Sequence, residues 1–548
     1  MQTTRPWDYL IITAANEQQS RSYELQLRQR ENAGEFQRVR NCLVVSDIEG
    51  RRIGSGGSTL HCLKQILERE SSDEGVQSFE EAEAILGKLR ILIVHAGGDS
   101  RRLPAYSHCG KMFVPVPDHG PDSVSTLFDR LIPVFLDLPE NPGGQVVIAS
   151  GDALILFDFS AVDLSRRGMT ALGFWAPAEE SANHGVFVTR DGVSATRYLQ
   201  KPSKDEQLHA GAVNEARQSV LDLGVMSCDA AAAVQLMRTF FRESPDDPSG
   251  LAWNEKFVGI LLDHGIDLYR EICCALGSET SFVQYVQSLR AGGLDLEACI
   301  TSEWFRSLHE IPLNVSILPD AKFLHFGTTR QLITSGIALL KEDTGKPGRT
   351  TLILNSVVQA EVKANHALIE ACSVEAPLRL EGNNVVVGAD IAHPLALSKG
   401  TCFDLCLGTN RDGGAVWFFR CYGIDDSFKL PVEDGATFCG KLLCQWLQDM
   451  GGAESDVWPS GISRERTLWH ARVFPAFGEH QQFREWLWLF HPALATDEQK
   501  MRFWATDRYS SAEIALRVDQ AYFQTRRDEL RSRGEASMAH TSAPPARA

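Results

Sequence analysis

The sequence predicts an α/β protein: a doubly wound, Rossmann-like domain, then a β-rich, β-helix-like domain, then a C-terminal helical segment. Three observations carry this. Short apolar runs alternate with helical stretches over the first 300 residues, two of the turns between them are glycine-rich, and beyond residue 300 the long helical pattern gives way to short β-prone pieces. Strands alternating with helices at this spacing imply parallel βαβ units, whose ligands sit beyond the carboxyl ends of the strands.

The elements follow in order. "DYLIIT" (8–13) reads as a buried strand, "NEQQSRSYELQLRQRE" as a polar helix, and "NCLVVSD" (41–47) as a second strand. "GSGGSTLHCLKQILERE" (54–70) is a glycine-rich turn opening a helix. "RILIVHAGG" (90–98), "GQVVIASGD" (144–152) and "MTALGFWAP" (169–177) continue the strands, with "DSVSTLFDRLIPVFLDL" as a helical stretch between. The pieces "LNSVV", "IEACSV" and "EGNNVVVG" fit stacked coils of a parallel β-helix, although their irregular period also admits a sandwich. Near the C-terminus Ser510 stands three residues before Glu513, a capping-box spacing ahead of an amphipathic run. The expected domains are 1–300 (α/β), 301–430 (β-rich), 431–530 (mixed or helical) and a disordered tail, 531–548.

With 548 residues, 43% hydrophobic and 23% charged, the chain has material for a large core and for more than one domain. It carries 71 acidic and 54 basic residues, a net charge of −17. That argues against a nucleic-acid or anionic-membrane binder, which needs a basic face. Thirteen cysteines without paired CxxC spacing read as small buried hydrophobes in a reducing, cytoplasmic setting. The N-terminus reads as neither signal peptide nor membrane span, and no later run approaches about 18 apolar residues.

Against that acidic background, "HAGGDSRRLP" and the following "GKMFVPVP" concentrate positive charge beside a glycine pair. Gly97 and Gly98 would let the backbone approach a phosphate and aim N–H groups at its oxygens. Arg101 or Arg102 would add charge-assisted bonds, and Lys111 a mobile point charge. The plainer alternative is a helix N-terminus with exposed arginines. No GxxxxGK[ST] occurs, and "GSGGST" is not the GxGxxG of a dinucleotide fold.

"AGGDSRRLP…K" resembles the sugar-nucleotidyltransferase signature, with Arg101 where threonine is usual and one residue missing before Pro104. Seven stretches in order, "GSGGSTLH", "HAGGDSRRLP", "GKMFVPVP", "ANHGVF", "LQKPS", "LHFGTT" and "LWHARVFP", resemble the L-fucose-1-phosphate guanylyltransferases (GDP-fucose pyrophosphorylases), alone or fused to a fucokinase. The resemblance covers nearly the whole chain and makes 1–300 the nucleotidyltransferase domain. It implies attack of a fucose-1-phosphate oxygen on the α-phosphorus of GTP, with Mg²⁺ bridging the phosphates.

On that pattern Arg102 and Lys111 are the catalytic residues, and Gly97, Gly98 and Arg101 bind nucleotide. Gly56, Gly57 and Ser58, with Thr59, are expected to line the nucleotide side. Asp152, in a "GD" at a strand end, is the first metal ligand, although an Asp after Gly is also an ordinary turn residue. Glu271, one helical turn from Asp267, is the second, in place of the usual Asp. Lys201 meets the sugar phosphate, and Pro202 is expected to hold it extended. Asn183 and His184 stand beside the sugar, Gly185 allows close approach, and Asp222 bonds sugar hydroxyls. The partners implied are GTP, a sugar-1-phosphate and a separate sugar kinase, since no sugar-kinase phosphate loop is recognisable. Two alternatives stay open: a nucleotidyltransferase for another sugar-1-phosphate or nucleotide, and a non-catalytic sugar-nucleotide-binding regulator.

Overall fold

The run "WDYLIITA" forms β1 (Trp7–Ala14), buried along its whole length, with a parallel strand paired along each edge. The structure is a computed structural model that describes residues 5–71, 76, 78–98, 100–118, 124–247, 249–345, 350–458 and 465–542. It resolves into two compact units, Met1–Gly98 with Leu131–Phe323, and Asp99–Arg130 with Leu324–Ala548. This division departs from the expected sequential domains. The stretch after the glycine pair belongs with the C-terminal half, and Leu313–Leu318 completes the first sheet by pairing with Met169–Pro177.

In the first unit, β1 lies between β2 (Val39–Ser46) and β3 (Arg90–His95), and β3 pairs in parallel with Gln145–Ser150. Helix α1 (Glu17–Asn32) begins at Asn16, whose side chain accepts the Gln19 N–H, and α2 (Gly54–Glu70) leads back towards β3. Chain order reverses between β1 and β3, so the loops after these two strands flank a topological switch point, the crevice where open α/β sheets bind ligands. This half of the sheet is wholly parallel; the other half is mixed, with Leu313–Leu318 parallel to Met169–Pro177. Beyond Gln145–Ser150 lies the antiparallel strand Gln218–Cys228, followed by the hairpin Gly185–Thr189 and Ala195–Gln200. Met169–Pro177 is antiparallel to Gln218–Cys228, correcting the expectation of parallel winding throughout. The long strand bulges between Asp222 and Met226, where Gly224 adopts φ 71°.

In the second unit three short parallel ladders repeat. Thr351–Leu354, Ala367–Glu370 and Asn384–Val387 stack in one ladder, Val357–Val358, Ser373–Val374 and Asp390–Ile391 in the next, and Val362–Ala364, Leu378–Leu380 and Leu395–Leu397 in the third. Each coil turns its first corner on a left-handed residue directly after the first strand: Asn355 (φ 46°), Ala371 (φ 54°) and Gly388 (φ 75°). At Gly388 a Cβ would lie 2.3 Å from the Leu405 carbonyl oxygen, so glycine is required there. Thr401–Thr409 and Ala415–Gly423 then continue the first ladder as a long antiparallel pair. The last described element is the helix Gln520–Ser542, which takes in most of the expected tail; Arg526 and Arg527, ahead of that tail, pair with Asp390 and Glu370. Residues 543–548 of that tail lie outside the described residues. Among the described residues no helix is long and apolar enough to cross a membrane.

Candidate active site

At the switch point β3 ends in His95, and Ala96–Gly98 leave the sheet as a loop held from three sides. The Thr13 hydroxyl accepts the N–H groups of Ala96 (3.2 Å) and Gly97 (3.4 Å). Tyr23 donates its hydroxyl to the Ala96 carbonyl at 2.8 Å, and Gln19 donates its amide to the Gly98 carbonyl at 3.0 Å. Gly98 adopts φ 100°, with nothing within 4 Å of the place a Cβ would take. This is backbone with room for a ligand to approach. His95 sits between Thr59 (2.9 Å) and Thr13 (3.5 Å), and burial holds its pKa down to about 4, so the ring is neutral. Thr13, Gln19, Tyr23 and His95 support this loop without having been predicted. The signal was available in "TAANEQQS", a second loop-to-helix transition beside the glycine pair.

The glycines of α2 serve packing. A Cβ on Gly56 would lie 2.8 Å from Ile272 Cδ1, and one on Gly57 2.7 Å from Leu261 Cδ1. Ser58 gives its hydroxyl to Asp47 at 2.5 Å. The two glycines seat the segment 261–272, and that segment carries Asp267 and Glu271. Asp267 caps a π-helical turn, Leu268–Cys273, by accepting the N–H groups of Tyr269 (3.0 Å) and Arg270 (2.8 Å), and its other oxygen accepts the Ser55 hydroxyl at 3.1 Å. Glu271 turns back to accept the Asp267 N–H at 2.6 Å. Burial, reinforced by the charge of Asp267, pushes the Glu271 pKa up to about 7.

Tyr269 stands among carboxylates. Burial holds its pKa well above the ordinary range, and the charges of Asp222, Asp267 and Asp152 add to the effect. Asp152 follows the strand Gln145–Ser150 and accepts the Ser150 hydroxyl at 2.9 Å. Asp222 accepts the Tyr198 hydroxyl at 2.8 Å and the Gly224 N–H at 2.7 Å, while burial pushes its pKa up to about 6. At Gly224 a Cβ would lie 3.2 Å from Ser150 Cβ and 3.6 Å from the Tyr269 hydroxyl, so the bulge closes this acidic basin. Among the described residues no three His, Cys, Asp or Glu side chains are grouped to hold a metal ion.

The hairpin supplies the remaining predicted residues. Asn183 and His184 form the turn into Gly185–Thr189, and His184 meets Phe323 edge to face at 5.3 Å. Gly185 is needed for an internal approach, because a Cβ there would lie 1.9 Å from the Tyr198 hydroxyl. Lys201, expected extended before Pro202, instead adopts φ 51°, since its N–H closes the hairpin onto the His184 carbonyl at 3.0 Å. It lines a cavity of about 560 Å³ together with Arg197, Gln200 and Arg270.

The structure divides the signature itself. Gly97 and Gly98 belong to the first unit, and Arg101, Arg102 and Lys111 to the second. There Arg101 pairs with Glu465 at 2.8 Å, 5.9 Å from the centre of the Trp469 ring. The Arg102 side chain is exposed, and its carbonyl accepts the Thr329 N–H at 3.1 Å. Lys111 opens the short turn Lys111–Phe113, preceded by Gly110 at φ 81°.

The family profile described as "Fucose pyrophosphorylase domain" matches residues 83–479. The chain is 26% identical to the bifunctional fucokinase/GDP-fucose pyrophosphorylase of Arabidopsis thaliana, the alignment covering 92% of this chain and 50% of that protein. It is 26% identical to the human fucose-1-phosphate guanylyltransferase, over 86% of this chain and 81% of that protein. It is 23% identical to the L-fucokinase/L-fucose-1-P guanylyltransferase of Bacteroides fragilis, over 89% of this chain and 48% of that protein. The chain thus spans about half the length of the plant and Bacteroides relatives.

Proposed function

Because the chain belongs to the fucose pyrophosphorylase family, we propose that it joins GTP to L-fucose-1-phosphate, forming GDP-L-fucose and releasing pyrophosphate. The observation that carries this reading is the match over 83–479, which takes in the glycine loop, Arg102, Lys111 and the carboxylates around Tyr269. On this reading the sheet half around β1 and β3 is a Rossmann-like nucleotide domain, and the three stacked ladders are a β-helix.

The chemistry is an in-line displacement at the α-phosphorus. A sugar-phosphate oxygen attacks, the bond to pyrophosphate breaks, and the main requirements are alignment and neutralisation of charge. The N–H groups of the Gly97–Gly98 loop would cradle the triphosphate, with Arg101, a few residues on in the chain, adding positive charge. Arg102 and Lys111 would offset the charge that builds on the departing pyrophosphate. Lys201, flanked in its cavity by Arg197 and Arg270, would hold the sugar phosphate, and Asn183, His184 and Asp222 the sugar. Gly56 and Gly57 would act on the nucleotide side chiefly by seating the acidic segment, and Ser58 by its bond to Asp47.

The donor set suits Mg²⁺. This hard cation takes one or two carboxylates and completes its shell with water and substrate phosphates, so a cluster of three protein ligands is not required. Asp152 would hold it, and Glu271, with one oxygen on the Asp267 N–H, would offer the other. The bound ion would supply positive charge against the phosphates. We also infer a cytoplasmic setting and a separate sugar kinase as the source of substrate. The test is pyrophosphate release from the purified chain with each of four nucleoside triphosphates and a panel of sugar-1-phosphates. GTP with fucose-1-phosphate should be the preferred pair, and release with another pair alone would overturn the assignment.

A further inference from the structure

The loop that carries Arg102 and Lys111 has little regular structure of its own. Its internal backbone hydrogen bonds are those of short turns, among them Leu103 to Ser100 (2.8 Å), Tyr106 to Leu103 (3.0 Å), Ser107 to Pro104 (3.2 Å), Gly110 to Tyr106 (2.9 Å) and Phe113 to Gly110 (3.2 Å). Two buried arginines from far along the chain fasten it. Arg420, fully buried, donates to one Asp404 oxygen from Nη2 (2.7 Å) and Nε (2.9 Å), to the other from Nε (3.2 Å), and to the Ser107 hydroxyl at 3.0 Å. Ser107 in turn donates to the Pro104 carbonyl at 2.9 Å. Arg527, on the C-terminal helix, donates to Glu370 at 2.8 Å and to the Phe113 carbonyl at 3.4 Å. Glu370, fully buried, also accepts from Asn355 (3.1 Å) and from the Tyr106 hydroxyl (3.4 Å). The Arg527 guanidinium lies 4.4 Å from the Phe523 ring centre and 5.6 Å from that of Tyr106.

Buried ion pairs are a poor way to gain stability, because desolvating both charges consumes most of the Coulombic gain. Both pairs, however, end in a directed donor on this one loop, Arg420 at Ser107 and Arg527 at Phe113, on either side of Lys111. We propose that Arg420 and Arg527 are positioning residues, which set the backbone of 102–113 so that Arg102 and Lys111 meet the nucleotide phosphates. The proposal rests on the assignment of those two residues to the phosphates. A misplacement of about 1 Å in such a group is enough to cost about a hundredfold in rate.

The test removes each pair as a unit, so that no unpaired charge is left buried. In Arg527→Met/Glu370→Gln the side chains keep similar volume, and the amide oxygen introduced by Glu370→Gln still accepts from Asn355. Unfolding temperature should stay near that of the parent. Amide exchange over 103–113 should rise at least tenfold, and turnover should fall by about ten- to a hundredfold. The KM for fucose-1-phosphate, assigned to Lys201, should be unchanged. Arg420→Met/Asp404→Asn repeats the test at Ser107 should the first variant not fold. Parental exchange over 103–113 in a folded double variant, or parental turnover, would overturn the proposal. If the parent itself releases no pyrophosphate with any substrate pair, the proposed function fails, and amide exchange alone then decides whether the arginines hold the loop.

Discussion

Asp222 keeps a carboxylate where burial opposes one. Its folded pKa of about 6 lies above the ordinary 3.8, so the folded chain holds the proton more tightly than the unfolded chain. The group costs nothing below about pH 4, and its cost grows as pH rises through about 6. The full cost is on the order of 3 kcal/mol. Asp222→Asn can still accept from Gly224 and donate to the Tyr198 oxygen. It should therefore raise the unfolding temperature at pH 7.5, leave it nearly unchanged at pH 3.5, and raise the KM for the sugar phosphate. An equal shift at both pH values would show that charge is not the reason. Asp152 is the contrasting case, half-buried at a strand end. Asp152→Asn should lower turnover in saturating Mg²⁺ by about 3–4 kcal/mol, several hundredfold, with little change in stability. Near-parental turnover would remove Asp152 from the metal site.

At the scale of elements, two glycines at positive φ separate packing from ligand access. Gly54 opens α2 at φ 76°, and a Cβ there would lie 2.4 Å from the Ile266 carbonyl oxygen, next to Asp267. Gly54→Ala must therefore displace the acidic segment. It should cost about 2–4 kcal/mol of stability in denaturant titrations, combining overpacking with left-handed strain. Gly98 also has a positive φ, 100°, but opens on space. Gly98→Ala should cost only about 1–2 kcal/mol of stability while sharply raising the KM for GTP. Equal losses of stability in the two variants would mean that the Gly98 loop is an ordinary turn. The strands β1, β2 and β3 were legible because each carries a continuous apolar run, "YLII", "CLVV" and "ILIV", too short for a helix and flanked by polar residues or turn signals. The strand directions of the mixed half were not, because hairpin and crossover strands share the same composition.

For the whole molecule, a net charge of −17 sets the conditions under which the two anionic substrates proposed for it would bind. A general field of that sign repels them, so capture depends on local positive charge. Arg101 is partly neutralised by exposed Glu465, whereas Arg102 is exposed beside it. Arg101→Ala should mainly weaken GTP capture, and its deficit should shrink as salt screens the field. Arg102→Ala should lower turnover by about 2–4 kcal/mol at low and high salt alike. Equal, fully screenable defects in the two variants would reduce both arginines to surface charge.

The sequence by itself determined the alternation of strands and helices, the glycine loop and the order of motifs that marks the family. These are local patterns, written in apolar period, turn residues and spacing. Tertiary structure alone decided how the polar groups are spent. Ser55 meets Asp267 across 212 residues, and Arg527 meets Glu370 across 157. The Glu271 carboxylate turns to the Asp267 N–H, Lys201 goes left-handed to close a hairpin, and Gly185 makes room for Tyr198. A hydrogen bond depends on distance and direction in space, and a one-dimensional order constrains neither until the apolar core has brought the distant segments together.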